Sequence, residues 1–164
     1  MTDSTPAIFL DMDETLLHYT PRWKVGAIEV PFGYIVVRPH AVSCLQKLAT
    51  WADVYVFSAG GPQYVRAALQ ASRLHYLIDG FYSSHLDNFL PSKGREWVLV
   101  DNLPAEHENT QEKLRQLSRF DSRVGPMRLH VVSDFRGDMR DDELRHLPEH
   151  LAVEHFGHEK TRRV

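Results

Sequence analysis

The stretch Ala7-Ile8-Phe9-Leu10-Asp11-Met12-Asp13-Glu14-Thr15-Leu16 constrains this chain more than any other. Four apolar residues in unbroken succession suit a strand buried on both faces, and they run straight into two carboxylates and a hydroxyl. Two acids one residue apart point to opposite faces of a continuing strand, so they share a site only if the chain leaves the strand and curls. The carboxyl end of a buried strand is where α/β folds place ligands. Taken alone, Asp11-x-Asp13 also fits a polar loop that begins with a helix-capping Asp.

The rest of the chain repeats the strand-then-polar pattern. Residues 16–37 contain Pro21, Gly26, Pro31 and Gly33, which deny a long helix and suggest a β-hairpin flap, with Tyr19, Trp23, Phe32 and Tyr34 packing it down or, for Trp23 or Tyr19, facing a substrate. Gly33 to Val37 is the return strand. Arg38-Pro39-His40 then opens a helix with an apolar stripe at Val42, Leu45, Leu48, Ala49 and Ala52, Pro39 in its first turn. Asp53 to Phe57 is a second buried strand, followed by Ser58-Ala59-Gly60-Gly61 and a helix marked by Val65, Ala68 and Leu69. A hydroxyl, small residues and a helix amino terminus at a strand end can cradle a phosphate, or the Ser can simply cap the helix.

Gly80 to Ser83 is a short strand candidate, and Trp97 to Val100 is a third buried strand that delivers Asp101-Asn102. Asn109-x-x-Glu112 resembles a capping box, opening a helix with Leu114 and Leu117 inward. Leu129 to Val132 is a last strand. The acidic run 137–142 reads as a solvated start to a helix packed through Leu144, Leu147 and Leu151. His146, His150, His155 and His158 read as surface residues, since Pro148 should interrupt that helix and no Cys joins them.

Composition bounds the function. The 164 residues fit one domain, 1–164, and 43% apolar against 25% charged residues suits a packed globular core. A net charge of -3 argues against a general polyanion binder. The single cysteine, Cys44, allows no intramolecular disulfide and fits a reducing compartment. Residues 1–6 lack a basic leader and no apolar run reaches the roughly 20 residues of a membrane helix, so a cytoplasmic protein with no membrane partner is expected.

In order, Asp11-x-Asp13-x-Thr15, Arg38-Pro39, Phe57-Ser58, Lys93 and Asp101-Asn102-x-Pro104 resemble the haloacid dehalogenase superfamily of phosphohydrolases, and the first motif resembles its small C-terminal-domain phosphatase branch. The resemblance implies a Rossmann-like three-layer α/β/α sandwich with a mainly parallel central sheet, a β-hairpin flap and no large cap. It implies Asp11 as nucleophile and Asp13 as general acid and base. Thr15, Arg38, Ser58, Ala59 and Lys93 would bind the substrate phosphate, Thr15 mainly bracing the loop. Asp11, Asp13, Asp101 and Asn102 would hold Mg²⁺, and acids so clustered repel one another unless a cation joins them.

The chain departs from that pattern in three places. Ser58 stands where Thr is usual, Lys93 lies only eight residues before Asp101, and Gly137-Asp138 competes with Asp101-Asn102 as the second acidic motif. The implied function is a phosphomonoesterase working through an aspartyl-phosphate, with phosphoserine or phosphothreonine protein as the leading substrate. Small metabolites or phosphorylated nucleic-acid ends are the alternative substrates. A catalytically silent phosphopeptide-binding module is a third reading, and its mark would be loss of Asp11 or Asp13.

Overall fold

Strand β1 (Ala7–Leu10) is buried along its whole length, and the alternation of its side chains explains why. Ile8 and Leu10 enter one apolar core while Ala7 and Phe9 enter a second on the opposite face of the sheet, so the strand needs cover on both sides. The structure, a computed structural model, describes residues 5–83, 96–119 and 128–157. Among these residues β1 pairs in parallel with β5 (Asp53–Ser58) on one side and β7 (Trp97–Asp101) on the other. Strands β6 (Gly80–Ser83) and β8 (Leu129–Val131) extend the sheet in parallel to the order β6-β5-β1-β7-β8.

Helices α1 (Ala41–Leu48), α2 (Pro62–Ala71) and α4 (Glu143–Phe156) cover the first face, through residues such as Leu45, Leu69 and Leu147. Helix α3 (Glu108–Ser118) covers the second with Leu114 and Leu117. This is the expected three-layer α/β/α sandwich. Its register sets Ala7 opposite both Asp53 and Trp97, and the three strand ends carrying Asp11, Ser58 and Asp101 emerge side by side. The expected hairpin flap is a small antiparallel sheet of order β2-β4-β3, from β2 (Leu17–Thr20), β3 (Ile28–Val30) and β4 (Gly33–Val37). Among the described residues no cap domain stands over the strand ends.

Four local readings are corrected. Helix α4 runs through Pro148, because Pro148 is itself buried with Leu144, Leu147 and Leu151 and this packing outweighs the lost backbone bond. Helix α1 begins at Ala41 with His40 as its cap in a left-handed conformation, which leaves Pro39 outside the helix. The cap of α3 is His107, whose ring accepts from the Asn109 N-H, and not Asn109. Trp23 is 65% exposed and Phe32 55%, so these two aromatics do not pack the flap down.

Arg38, at the end of β4, is 1% exposed and fully engaged. Its Nε and Nη2 donate to the two Asp141 oxygens at 2.9 Å each, Nη2 also reaches Glu143 Oε2 and Ser133 Oγ, and Nη1 donates to the Thr15 carbonyl at 3.2 Å. The acidic run before α4 is therefore partly a clamp for a buried guanidinium, which pins the loop after β1 to the start of α4. Arg38→Met should lower stability by about 2–4 kcal/mol, because it leaves two carboxylates without their partner. Urea unfolding measures this, and an unchanged midpoint would show that the clamp carries no stability.

Candidate active site

The chain curls directly after β1. The Asp11 N-H donates to the Val100 carbonyl at 2.8 Å, which is the last sheet-like bond, and the Thr15, Leu16 and Leu17 N-H groups turn back to the Met12 carbonyl. Glu14 sits at φ 63°, the left-handed conformation that completes the curl. Met12 and Leu16 anchor the loop in the core, so the polar residues between them are fixed in place. Asp11 and Thr15 end buried, whereas Asp13 and Glu14 face the cleft.

Lys113, from α3, lies between two of the carboxylates. Its Nζ donates to Asp11 Oδ1 and to Asp101 Oδ2, each at 2.9 Å, and the side chain is almost wholly buried. Burial alone would favour the neutral amine, but the charges of Asp11 and Asp101 outweigh it and raise the affinity of Lys113 for its proton. Burial pushes the Asp11 carboxyl up to about 7, with Lys113 pulling it down and Asp101 adding to the rise. On the other oxygen of Asp11, Thr15 Oγ1 approaches Oδ2 at 3.2 Å and Asn102 Oδ1 at 3.3 Å. Asn102 Nδ2 in turn donates to Asp134 Oδ1 at 2.9 Å, which aims the amide oxygen toward Thr15 and Asp11.

Asp13 has different surroundings. Tyr64, on α2, donates its hydroxyl to Asp13 Oδ1 at 2.5 Å. Burial raises the Asp13 carboxyl above the ordinary range, and the Tyr64 bond partly opposes that rise. Asp13, Glu14, Tyr19, Phe32 and Tyr64 line an open cleft of about 410 Å³. Tyr19 meets Tyr64 edge-on with ring centroids 6.1 Å apart, and its hydroxyl donates to the Phe32 carbonyl. Gly33 is required here: at φ 143°, a Cβ would come within 2.9 Å of the Tyr19 hydroxyl.

Of the residues singled out in the sequence, the structure gathers Asp11, Asp13, Thr15, Asp101 and Asn102 at the sheet's carboxyl edge. Ser58 arrives there at the end of β5, and its Oγ accepts from the Gly60 N-H at 3.0 Å, with Ala59 exposed between them. Gly61 caps α2 without a side chain, so that helix amino terminus also opens on this edge. Arg38 does not face the cleft, its donors being committed as described. Asp101 is wholly buried; its oxygens take Lys113 and the Leu103 N-H, so it serves as counterion to Lys113. Asp138 is exposed and bonded to Arg140, away from the cluster.

Lys93 lies outside the described residues. Lys113 and Asp134 join the site without having been singled out in the sequence. A signal for Lys113 was present, since it shares the inward stripe Thr110, Lys113, Leu114 and Leu117, where a lysine needs a buried counterion. Asp134 lies three residues beyond β8 and carries no comparable mark.

A sequence profile of the NLI interacting factor-like phosphatases matches residues 6–162. No curated protein matches the chain by sequence. Among solved structures, Fcp1, an essential RNA polymerase II CTD phosphatase, is similar at 17% identity with a TM-score of 0.54, over 93% of this chain and 62% of that one. The present chain thus spans less than two thirds of that relative. The HAD domain of effector protein Lem4 from Legionella pneumophila is similar at 14% identity and a TM-score of 0.52, over 93% of this chain and 98% of the other. At these identities the two structures speak for the fold.

Proposed function

Because the chain belongs to the NLI interacting factor-like phosphatase family, we propose that it is a phosphoric monoester hydrolase working through an aspartyl-phosphate at Asp11. One observation supports this above the others: two carboxylates two residues apart sit in opposed settings, Asp11 clamped by Lys113 and Thr15, Asp13 lining the open cleft. Contrasting environments for paired acids separate a nucleophile from an acid-base group.

In the proposed reaction an Asp11 oxygen attacks phosphorus in line, and the bond from phosphorus to the leaving oxygen breaks. Asp13 gives that oxygen its proton. Asp13 then takes a proton from water, which attacks phosphorus and releases inorganic phosphate and the free Asp11 carboxylate. Lys113 offsets part of the cost that burial places on the ionised Asp11, and the Ser58 hydroxyl retains a proton to donate to a phosphate oxygen. The oxygens of Asp11 and Asn102 that converge on Thr15, with Asp13 nearby, form an all-oxygen set that fits Mg²⁺. Bound there, Mg²⁺ would neutralise charge on the transferring phosphoryl group.

The leading substrate is a phosphoserine or phosphothreonine protein. The cleft is open, Tyr19, Phe32 and Tyr64 offer apolar surface beside Asp13, and Trp23 adds more on the exposed flap. An extended peptide can lay a side chain there, which a sugar phosphate has no means to do. A panel of phosphopeptides, nucleotides, sugar phosphates and phosphorylated oligonucleotides tests the reading. Phosphopeptides should give the highest kcat/KM, and higher rates on the small esters or oligonucleotides would overturn it. In the same assay Asn102→Ala should raise the half-saturating Mg²⁺ roughly 10-fold or more, as lost metal-site partners do, while Asp138→Ala should match the parent. The reverse order would move the metal site to Asp138.

A further inference from the structure

Away from the cleft, the edge strand β8 meets the last turn of α4 through His130, Glu154 and His155. His130 Nδ1 lies 3.3 Å from His155 Nε2 and 3.4 Å from Glu154 Oε2, and the three atoms all fall within 4.8 Å of one another. A neutral imidazole nitrogen carries either a proton or a lone pair, so His130 Nδ1 can make only one good hydrogen bond to these two neighbours. Ligands bound at 2.0–2.1 Å in tetrahedral array are separated by about 3.3–3.4 Å, the spacing His130 Nδ1 keeps from both partners.

We propose that His130, Glu154 and His155 form a zinc site, with water as the fourth ligand, that staples β8 to the end of α4. Two imidazoles and one carboxylate are ligands that Zn²⁺ accepts, and imidazole disfavours Mg²⁺, so this site and the catalytic one select different ions. The His130 side chain is 16% exposed and that of Glu154 55%, which leaves the cluster half-buried with one side open to water. The staple joins two elements that lead to the catalytic framework. The chain leaving β8 carries Ser133 and Asp134, which reach Arg38 and Asn102, and α4 begins with Glu143, which binds Arg38.

The test uses the full chain carrying Asp11→Asn, stripped of metal with chelator, so that the catalytic carboxylates take less part. Calorimetric titration with Zn²⁺ should show one ion per chain, not displaced by excess Mg²⁺, with a rise in Tm. His130→Gln and His155→Gln should each weaken Zn²⁺ by roughly 10–100-fold or more and abolish the rise, while their metal-free Tm stays near that of the parent. Nitrogen NMR of the histidine rings, on the unsubstituted ligand set, should show two imidazoles shifting together as Zn²⁺ is added. That readout needs no variant to fold. Zinc affinity unchanged in both variants, no zinc bound at micromolar concentration, or ring signals of His130 and His155 indifferent to zinc would each overturn the site.

Discussion

Asp11→Asn should lower turnover by on the order of 10⁶-fold, the size of loss found when the nucleophile is taken from a covalent mechanism. The amide keeps the shape of the side chain, and its one oxygen can still accept from Lys113 while its NH2 stands where Oδ2 accepts from Thr15, but it cannot attack phosphorus. The fold should be unharmed. Burial already works against the charged form of Asp11, so a neutral amide removes an electrostatic cost as well as an attraction. Tm should therefore stay level or rise. Steady-state rates and thermal unfolding of one preparation decide the matter: activity retained within 10²-fold of the parent would show that Asp11 is not the nucleophile.

Lys113→Met carries the second large effect, and it falls on stability and rate together. Removing the ammonium leaves Asp11 and Asp101 buried side by side with no cation, which should cost about 3–5 kcal/mol. Without Lys113 the Asp11 carboxyl should rise further above its already elevated value of about 7. A carboxylate with a higher pKa is ionised only at higher pH, so the acidic limb of the pH-rate profile should move upward. At neutral pH the rate should drop by at least 10²-10³-fold, on the scale of a lost electrostatic stabiliser. Adding Asp101→Asn to Lys113→Met removes one of the two stranded charges and should restore part of the stability. A single variant with normal Tm and rate would show that the Lys113 bridge contributes to neither.

The sheet was legible because its strands are written as apolar runs. Ala7 to Leu10, Val54 to Phe57 and Trp97 to Val100 each end in a polar residue, and the parallel order that sets Asp11, Ser58 and Asp101 together follows from that repetition. Local signals in the loop after β1 also sufficed, since Asp11, Asp13 and Thr15 lie within five residues. What could not be read was the partnership of residues far apart in sequence. Arg38 looked like a phosphate ligand because Asp141 and Glu143, over 100 residues on, gave no sign that they would fold against it. Lys113 lies on the inward stripe of α3 beside Leu114 and Leu117, but its partners Asp11 and Asp101 come from two other strand ends and nothing local names them. Pro148 shows the opposite limit, a strong local rule overridden by the burial of Leu147 and Leu151 around it.

The central claim is that phosphate passes through Asp11, and rapid acid quenching followed by peptide mass spectrometry tests it most directly. Asp13→Asn should slow turnover by roughly 10²-10⁴-fold, because it loses the proton donor and then the base for water. With an activated aryl phosphate, whose leaving group needs little protonation, that variant should still form the intermediate and then stall. One phosphate per chain is expected on the peptide containing Asp11, at Asp11 itself, and none in the double variant Asp11→Asn with Asp13→Asn. Phosphate on Ser58, or steady turnover with no acyl-phosphate detectable at any quench time, would contradict the account.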